Sequence, residues 1–362
     1  MFWRRRIYLD YAAGASANPS SPHDEGRHAK RMLEDARMTI ARLVEVQPDD
    51  VIFTSGATEA NALAILGIAK SGDHVFYLPS AHASIVENVK LIAGRGVEVE
   101  ALPVNDGRVN CEKLKKLLRP QTKLIIMDAV CGETGVIWNT REVRQAIGSD
   151  VLLHIDASQA PLTEKITRAH FCADMFTLDA SKVGGVRGIG VLIMHRTIPI
   201  APLYAGGGQE RRLRSGSGAP ELARGFAGAL RAAALGREKF RARAARARAN
   251  LAEAITSTIS NVFINEGKEQ SPHILNLSFP GRDTDYLVAL LDEDGFAIST
   301  RSACETDSED GSRAVFALTG DLERARATLR ISWGSLVRAR ELTRFARSLT
   351  RAVAFVDNNG RG

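Results

Sequence analysis

The stretch VLLHIDAS, residues 151–158, is a short apolar run that ends in an acid. Five other runs of strand length share its apolar character, and helical patterns such as residues 26–45 and 141–148 alternate with them. The five runs are DVIFTSG (50–56), HVFYLP (74–79), KLIIMDAV (123–130), MFTLDAS (175–181) and GVLIMH (190–195). Continuous apolar strands are buried on both faces, which favours a mostly parallel sheet flanked by helices. We therefore predict an α/β fold.

The length of 362 residues predicts two domains. We expect a large α/β domain at residues 15–245 and a small α+β domain built from residues 1–14 and 246–362. In the small domain, HILNLSFP (273–280), FAISTRSAC (296–304) and ATLRISWG (327–334) read as strands. The arginine-rich segment 223–255 has the spacing of a long amphipathic helix, and we predict that it joins the two domains.

Composition narrows the class of protein. Hydrophobic residues make up 44% of the chain and charged residues 25%, which is typical of a globular protein. No apolar run is long enough to span a membrane and MFWRRR lacks the features of a leader, so we expect a cytoplasmic protein. The net charge of +6 comes largely from the 223–255 helix. It indicates a solvated helix face or a docking surface for an acidic partner, and no nucleic-acid motif accompanies it.

The four cysteines are widely spaced and form no CxxC pair. They therefore indicate neither a disulfide framework nor a zinc site, and we predict no metal. They are Cys111, Cys131, Cys172 and Cys304.

Small and polar residues follow the first apolar run, where FTSGATEAN (53–61) passes from a strand pattern to a helix pattern. Gly56, Ala57 and Thr58 would place backbone N–H groups and a hydroxyl at a helix N-terminus, which can hold a phosphate. The same residues are also compatible with an ordinary helix start.

Three chemically active side chains follow other runs. Alone, His82 reads as a surface or core residue, Asp156 as a helix cap and Lys182 as a surface lysine. Ligands of open α/β sheets gather at the carboxyl ends of strands, so these groups can share one edge with the phosphate cup. A phosphate cup, a ring-stacking histidine, an acid and a lysine are together what pyridoxal 5'-phosphate requires.

With these motifs the chain resembles the cysteine desulfurases, pyridoxal phosphate enzymes of fold type I in the class V aminotransferase group. The resemblance extends from YLDYAAGASANPSSPHDEGR (8–27) through RLRSGSGAPE (212–221) and ILNLSFPG (274–281) to STRSACETDS (299–308) and LRISWG (329–334). It implies that Thr58 binds phosphate, His82 stacks on the ring, Asp156 pairs with the pyridine nitrogen and Gln159 contacts the ring hydroxyl. Lys182 would be the Schiff-base lysine, and Ser217 would reach the phosphate of a neighbouring subunit in a homodimer. The predicted cofactor-binding set is Gly56, Ala57, Thr58, His82, Asp156, Gln159, Ser181, Lys182 and Ser217.

The resemblance also implies the reaction. Lys182, Cys304 and His82 are the predicted catalytic residues, and Arg330 would hold the carboxylate of L-cysteine with its planar guanidinium. Arg330 in a structural ion pair is the alternative. Cys304 lies among polar residues, where a thiol is accessible. The products would be L-alanine and a persulfide on Cys304, which a sulfur-acceptor protein would take.

Three positions depart from the family pattern. Asp179 and Ser181 stand where the family has a serine and a histidine that bind the phosphate. An ionised Asp179 would repel a phosphate, so its side chain points elsewhere, stays protonated or weakens phosphate binding. Gly132 stands where the family has an asparagine, and it places Cys131 near the predicted site as a second thiol.

Several functions remain compatible with these residues. The first is an active cysteine desulfurase serving iron–sulfur clusters, tRNA thiolation or DNA modification. The second is a desulfurase-like binding or scaffold protein with weak or lost cofactor chemistry. A selenocysteine lyase, a cysteine sulfinate desulfinase and an aminotransferase would share the same ring-binding residues.

Overall fold

The six predicted apolar runs all form strands of one sheet in a computed structural model, which describes residues 7–300 and 311–359. The strands are β1 (Val51–Thr54), β2 (His74–Tyr77), β3 (Glu98–Ala101), β4 (Val104–Asn105), β5 (Arg108–Val109), β6 (Thr122–Asp128), β7 (Leu152–Asp156), β8 (Met175–Asp179), β9 (Gly190–Met194), β10 (Phe263–Ile264), β11 (Ile274–Ser278) and β12 (Thr328–Ser332). The helices are α1 (Asp24–Val44), α2 (Ala57–Ile68), α3 (Ala83–Ala93), α4 (Cys111–Leu117), α5 (Thr140–Ile147), α6 (Arg168–Phe171), α7 (Pro220–Thr256), α8 (Thr284–Glu293), α9 (Arg313–Thr319), α10 (Leu322–Arg326) and α11 (Ala339–Asn359).

The large sheet has the strand order β1-β9-β8-β7-β6-β2-β3. From β8 to β3 every neighbouring pair is parallel, whereas β9 is antiparallel to both β1 and β8. The predicted α/β class with a mostly parallel sheet is therefore confirmed. The sequence analysis missed β3, because this edge strand carries two glutamates and is only partly buried.

The small sheet is antiparallel and has the order β10-β11-β12. Two of its three predicted strands are present. The third prediction, FAISTRSAC, is wrong in its described part, because residues 296–300 form no strand and Ser299 makes only an isolated bridge with Arg330. Residues 301–304 lie outside the described part of the chain.

Helix α7 extends without interruption over 37 residues. Near its start, Phe226 and Leu230 pack in the hydrophobic core of the large sheet. Further along, Phe240 and Leu251 pack in a second core that covers the small sheet. Each half of the helix therefore has a buried face, which explains the apolar spacing of this arginine-rich segment.

The carboxyl ends of β6, β7 and β8 meet at one edge of the large sheet, because these strands are parallel. Asp128 and Asp156 are register partners at the ends of β6 and β7. Asp179 ends β8, and a 3-10 turn, Ala180–Val183, follows it. Across residues 7–300 and 311–359, every helix is too short or too polar to cross a bilayer.

Candidate active site

A cavity of about 320 Å³ opens at this edge of the large sheet. Its walls come from the strand ends, from the first residues of α2 and from the segments that begin α3 and α9, and Arg330 of the small sheet closes one side. The predicted site residues in the wall are Ala57, Thr58, His82, Asp156, Gln159, Ser181, Lys182 and Arg330. The fold thus gathers, from positions far apart in the sequence, most of the side chains that the sequence analysis selected.

Asp156 is held as a buried hydrogen-bond acceptor. The peptide N–H of Ser158 donates to its Oδ1 at 2.9 Å, and the side chain of Asn61 donates to its Oδ2 at 2.7 Å. The Asn61 amide oxygen faces Nε2 of His154 at 3.0 Å, so Nε2 is the protonated nitrogen of that ring. Burial lowers the pKa of His154 to about 4, and the ring is therefore neutral at neutral pH.

The same asparagine connects Asp156 to the histidine. Asn61 donates its second amide hydrogen to Oγ of Ser84 at 2.9 Å, and Ser84 Oγ lies 2.9 Å from Nδ1 of His82. The peptide N–H of Ser84 also donates to Nδ1, because His82 caps the N-terminus of α3. One fully buried amide therefore fixes the acid and, through a hydroxyl, the orientation of the exposed imidazole.

A second carboxyl lies beside Asp156. Burial, and then the charge of Asp156, raises the pKa of Asp128 well above its usual range, although Arg313 and a backbone hydrogen bond from His82 act in the opposite direction. Burial therefore favours the neutral form of Asp128. Asp156, whose oxygens are fixed by Ser158 and Asn61, is the member of this pair placed to face a cationic group in the cavity.

Cys131 lines the cavity but is not a reactive thiol. Burial, and then the charge of Asp128, raises its pKa to about 11. Because the thiolate is the nucleophile, this residue stays inert at neutral pH. Its position near the site, predicted from the sequence, therefore does not make it a second sulfur carrier.

Lys182 lies on the 3-10 turn that follows β8, with its side chain exposed in the cavity wall. Asp179 caps this turn. Its Oδ1 accepts hydrogen bonds from the peptide N–H of Ser181 at 2.8 Å and from the Ser181 hydroxyl at 2.6 Å. Its Oδ2 accepts the peptide N–H of Ala57, at the start of α2, at 2.9 Å. Asp179 therefore points toward the predicted phosphate cup and not away from it.

Gly56 is the N-cap of α2 and does not itself line the described wall. Its φ of +156° favours glycine, and a Cβ there would lie 3.1 Å from Oδ2 of Asp179. The glycine thus permits the close approach of Asp179 to the helix start.

Arg330 reaches the cavity from the middle of β12, an edge strand of the small sheet. Its guanidinium donates to the carbonyl of Gly132 at 3.2 Å and to Oγ of Ser299 at 3.3 Å. These neutral acceptors orient the group without neutralising it, so the structure does not support a structural ion pair within the described residues. A Cβ on Gly132 would lie 3.0 Å from Nε2 of Gln159, so the glycine makes room for that amide.

Ser217 is not part of the wall formed by the described residues of one chain. It is exposed, and its hydroxyl accepts a hydrogen bond from Asn18 at 3.4 Å. An ion pair between Arg214 and Glu59, on the first turn of α2, anchors its loop at 2.9 Å. Its predicted role concerns a second copy of the chain and stays a prediction. Cys304 lies outside the described residues, and its role also stays a prediction.

Sequence reasoning missed Asn61, Ser84 and Asp128. Asp128 follows a strand in the same way that Asp156 does, so the rule that selected one acid also applies to the other. Asn61 lies four residues after Ala57 and therefore on the same face of α2. Its role as the centre of a network was not visible, because its partners are 23 and 95 residues away.

The wall residues fit a pyridoxal ring, with one modification at the phosphate. We call one group of residues the ring end: Asp156, Asn61, Ser84 and His82. It provides a carboxylate fixed by hydrogen bonds and an oriented imidazole, and Lys182 adds an amine. We call a second group the phosphate end: Ala57, Thr58, Asp179 and Ser181. It combines a helix N-terminus with a carboxylate fixed by hydrogen bonds. The ring end thus matches the chemistry of the cofactor, whereas the phosphate end holds an anion of its own.

Comparison with known proteins identifies the family of the chain. The aminotransferase class-V family model matches residues 6–345. The chain is 31% identical over 333 residues to Cysteine desulfurase IscS 1 of Archaeoglobus fulgidus. This match covers 90% of this chain and 87% of the relative. A solved NifS-like protein has a TM-score of 0.87 at 27% identity, covering 95% of this chain and 93% of that one. DndA from Streptomyces lividans has a TM-score of 0.75 at 32% identity, covering 89% and 92%. The chain belongs to the aminotransferase class-V family and, within it, groups with the cysteine desulfurases.

Proposed function

We propose that this protein is a pyridoxal phosphate-dependent cysteine desulfurase that converts L-cysteine to L-alanine and leaves a persulfide on Cys304. The observation that carries the proposal is a single cavity that holds Lys182, Asp156, His82 and Arg330, in a chain whose relatives are cysteine desulfurases. When bound, pyridoxal phosphate supplies an electron sink for the bond changes at the substrate Cα and Cβ.

Arg330 would bind the substrate carboxylate. A guanidinium presents two parallel N–H donors to a carboxylate, which fixes the orientation of an amino acid as well as its position. The hydrogen bonds to Gly132 and Ser299 hold Arg330 between the two sheets. Substrate binding therefore depends on how the small sheet is placed over the large one.

Asp156 would hold the positive charge of a protonated ring nitrogen. Its two oxygens are fixed by Ser158 and Asn61, so little reorganisation is needed when that charge is present. Lys182 would accept the proton of the substrate Cα at its Nζ, because its flexible side chain lies in the wall of the same cavity. His82, oriented by Ser84, would cover one face of the ring.

Cys304 would take the sulfur. Its thiolate attacks the sulfur of the substrate, an S–S bond forms, and the electron pair of the broken C–S bond remains with the carbon that becomes the methyl group of alanine. A thiol acceptor or sulfur-acceptor protein then removes the terminal sulfur. The other thiol at the cavity, Cys131, is too basic for this role.

Our proposal includes a homodimer, in which Ser217 of one copy reaches the phosphate of the other. It also retains a cofactor-binding domain at residues 15–245 and a small domain, residues 1–14 and 246–362, that carries Cys304; the two hydrophobic cores support this division. A reducing compartment keeps a catalytic thiol such as Cys304 in its free form, so we propose that the protein works in the cytoplasm. Iron–sulfur cluster formation, tRNA thiolation and DNA modification all remain open as the pathway.

Production of alanine from L-cysteine in the presence of a reductant tests this function. We expect Lys182→Ala to abolish both turnover and the visible absorbance of the lysine-bound cofactor, because Lys182 is the only lysine among the described residues of the cavity wall. Cys304→Ser should keep the absorbance and lose turnover. Cys172→Ser is the matched control, since this partly exposed thiol lies outside the cavity wall. Native alanine production by Cys304→Ser would contradict the persulfide mechanism.

A desulfurase-like binding protein is the second candidate, and the Asp179 carboxylate at the phosphate end favours it. It predicts no visible absorbance in the wild-type protein even with excess pyridoxal phosphate. The desulfurase proposal predicts an absorbance that depends on Lys182. The wild-type spectrum, recorded beside that of Lys182→Ala, therefore separates the two candidates.

A further inference from the structure

We propose that Asp179 is a built-in anion that occupies part of the phosphate position, so that this protein gains little affinity from the 5'-phosphate and selects only weakly between pyridoxal phosphate and pyridoxal. The inference rests on the proposed function, because it concerns the same cofactor site. It changes what the site recognises: the aldehyde and the ring would supply most of the binding, and the phosphate little of it.

The first argument is the use of hydrogen-bond donors. A phosphate at this edge would be held by peptide N–H groups at the start of α2 and by donors of the turn that carries Lys182. The Asp179 carboxylate already accepts the N–H of Ala57 at 2.9 Å and both donors of Ser181, at 2.8 and 2.6 Å. A phosphate must therefore share these donors with a carboxylate or displace it.

The second argument is the packing that holds the carboxylate in place. Asp179 is the last residue of β8, where its register partner on β9 is Gly190. A Cβ on Gly190 would lie 2.8 Å from the backbone of Gly56, so the start of α2 lies directly against the end of the β8–β9 pair. The end of β8 is thus placed next to the start of α2, and three hydrogen bonds hold the Asp179 carboxylate between them.

The third argument is charge. Two negative groups that share the same few donors repel each other, and the repulsion grows as water is excluded from between them. Thr58, on the first turn of α2, remains a neutral donor in the cavity wall. Pyridoxal lacks the phosphate and does not encounter this repulsion. The phosphate end thus discriminates far less than a cup made only of neutral or cationic donors.

The test measures dissociation constants for pyridoxal phosphate and for pyridoxal with the apoprotein, from the visible absorbance of the lysine-bound form. We expect Asp179→Asn to bind pyridoxal phosphate at least tenfold more tightly than the wild type and to bind pyridoxal with unchanged affinity. Asn keeps an acceptor for the Ala57 N–H and removes the charge. Asp179→Ser, a smaller neutral variant, should change the ratio of the two constants in the same direction.

Asp283→Asn is the matched control. Asp283 caps α8 by accepting two peptide N–H groups, at 3.0 Å each, and it does not line the cavity wall. It should alter neither constant. A second measurement uses the wild type alone, where inorganic phosphate should compete only weakly with pyridoxal phosphate.

The proposal is overturned if the wild type already prefers pyridoxal phosphate to pyridoxal by a thousandfold or more, or if both Asp179 variants leave that ratio unchanged. Either result would mean that the carboxylate leaves the donors when a phosphate binds. Failure of the proposed function looks different, because neither aldehyde would then give a visible absorbance that depends on Lys182.

Discussion

The two ends of the cavity each contain an aspartate, and the two differ in their surroundings. At the ring end, Asp156 is enclosed by a hydrogen-bond network, whereas at the phosphate end Asp179 is exposed to the cavity and lies where the cofactor phosphate would bind. Asp156 is 7% exposed, and its oxygens accept hydrogen bonds from Asn61 and Ser158. Asp179 is less buried, and it accepts hydrogen bonds from donors that the cofactor phosphate would use. Two aspartates at neighbouring strand ends therefore have opposite relations to the same molecule: one attracts its ring, and the other competes with its phosphate.

This difference shows that a family site need not change as a unit. The ring end carries the chemistry, and its side chains form one hydrogen-bonded set in which a change at one residue affects the others. The phosphate end takes no part in that chemistry, so a substitution there changes how tightly the cofactor is held and leaves its chemistry intact. The variants described below test this division.

The largest effect is expected at Asp156. Asp156→Asn keeps hydrogen-bonding atoms at the same position but removes the carboxylate that would face the ring nitrogen, and we expect kcat to fall by about 10²–10³-fold. The measurement is alanine production at saturating L-cysteine and cofactor. Asp128→Asn is the matched control, because burial raises the pKa of this carboxyl and so favours its neutral form. Equal losses in the two variants would show that the charge is not confined to Asp156.

The next effect is a pH dependence of stability that comes from His154. Its pKa is about 4 in the folded protein, so as the pH falls from about 6.5 to 4 the unfolded chain takes up a proton that the folded chain does not. We expect this residue to remove up to about 3 kcal/mol of stability over that range. Urea unfolding of wild type and His154→Gln at several pH values measures the difference.

His154→Gln retains a donor toward Asn61 and no longer titrates. Asp128 acts in the opposite direction: because its folded pKa is raised, its contribution is complete at low pH and is lost as the pH rises. Comparing the wild type with His154→Gln cancels that contribution. The exposed His28→Gln is the control and should leave the curve unchanged. If the His154→Gln curve runs parallel to that of the wild type, the ring is not held in its neutral form.

A smaller effect is expected from removing the centre of the network. Asn61→Ala removes one hydrogen bond from each of three buried partners, Ser84, His154 and Asp156, and we expect a loss of about 1–3 kcal/mol in the free energy of unfolding. We also expect kcat to fall while KM for L-cysteine changes little, because Arg330 is untouched. Asn88→Ala is the matched control, because the Asn88 side chain also donates to Ser84, but to the backbone carbonyl of Ser84, at 2.7 Å. Equal kcat values for the two variants would show that Asn61 contributes to stability and does not position the catalytic groups.

The smallest effect is expected from Ser217→Ala. If the hydroxyl reaches the phosphate of a second copy, its loss weakens pyridoxal phosphate binding by about tenfold and leaves pyridoxal binding unchanged. Ser20→Ala is the control, because Ser20 is an exposed neighbour of the same Asn18 side chain. Equal weakening for both aldehydes would show that the Ser217 hydroxyl does not reach the phosphate.

Local sequence patterns determined the main sheet and the residues with chemical function. Apolar runs of strand length specified six of the seven strands of the large sheet, because burial on both faces requires continuous apolar side chains. Strand β3 was missed and a strand at 296–300 was wrongly expected, since an edge strand and an irregular segment do not differ clearly in polarity. The parallel order of the strands brought Asp156, Lys182 and His82 to one edge, as the position of each after a strand predicted.

Only the tertiary structure decided the relations between these residues. The sequence left three possibilities for Asp179, and the hydrogen bond from the peptide N–H of Ala57 excludes the one in which the side chain points away from the phosphate cup. Likewise, the reactivity of Cys131 and the charge of Asp128 depend on burial, which is a property of the assembled core. Hydrogen bonds and desolvation act through distance in space, and a strand or helix pattern carries no information about which distant side chain will lie three ångströms away.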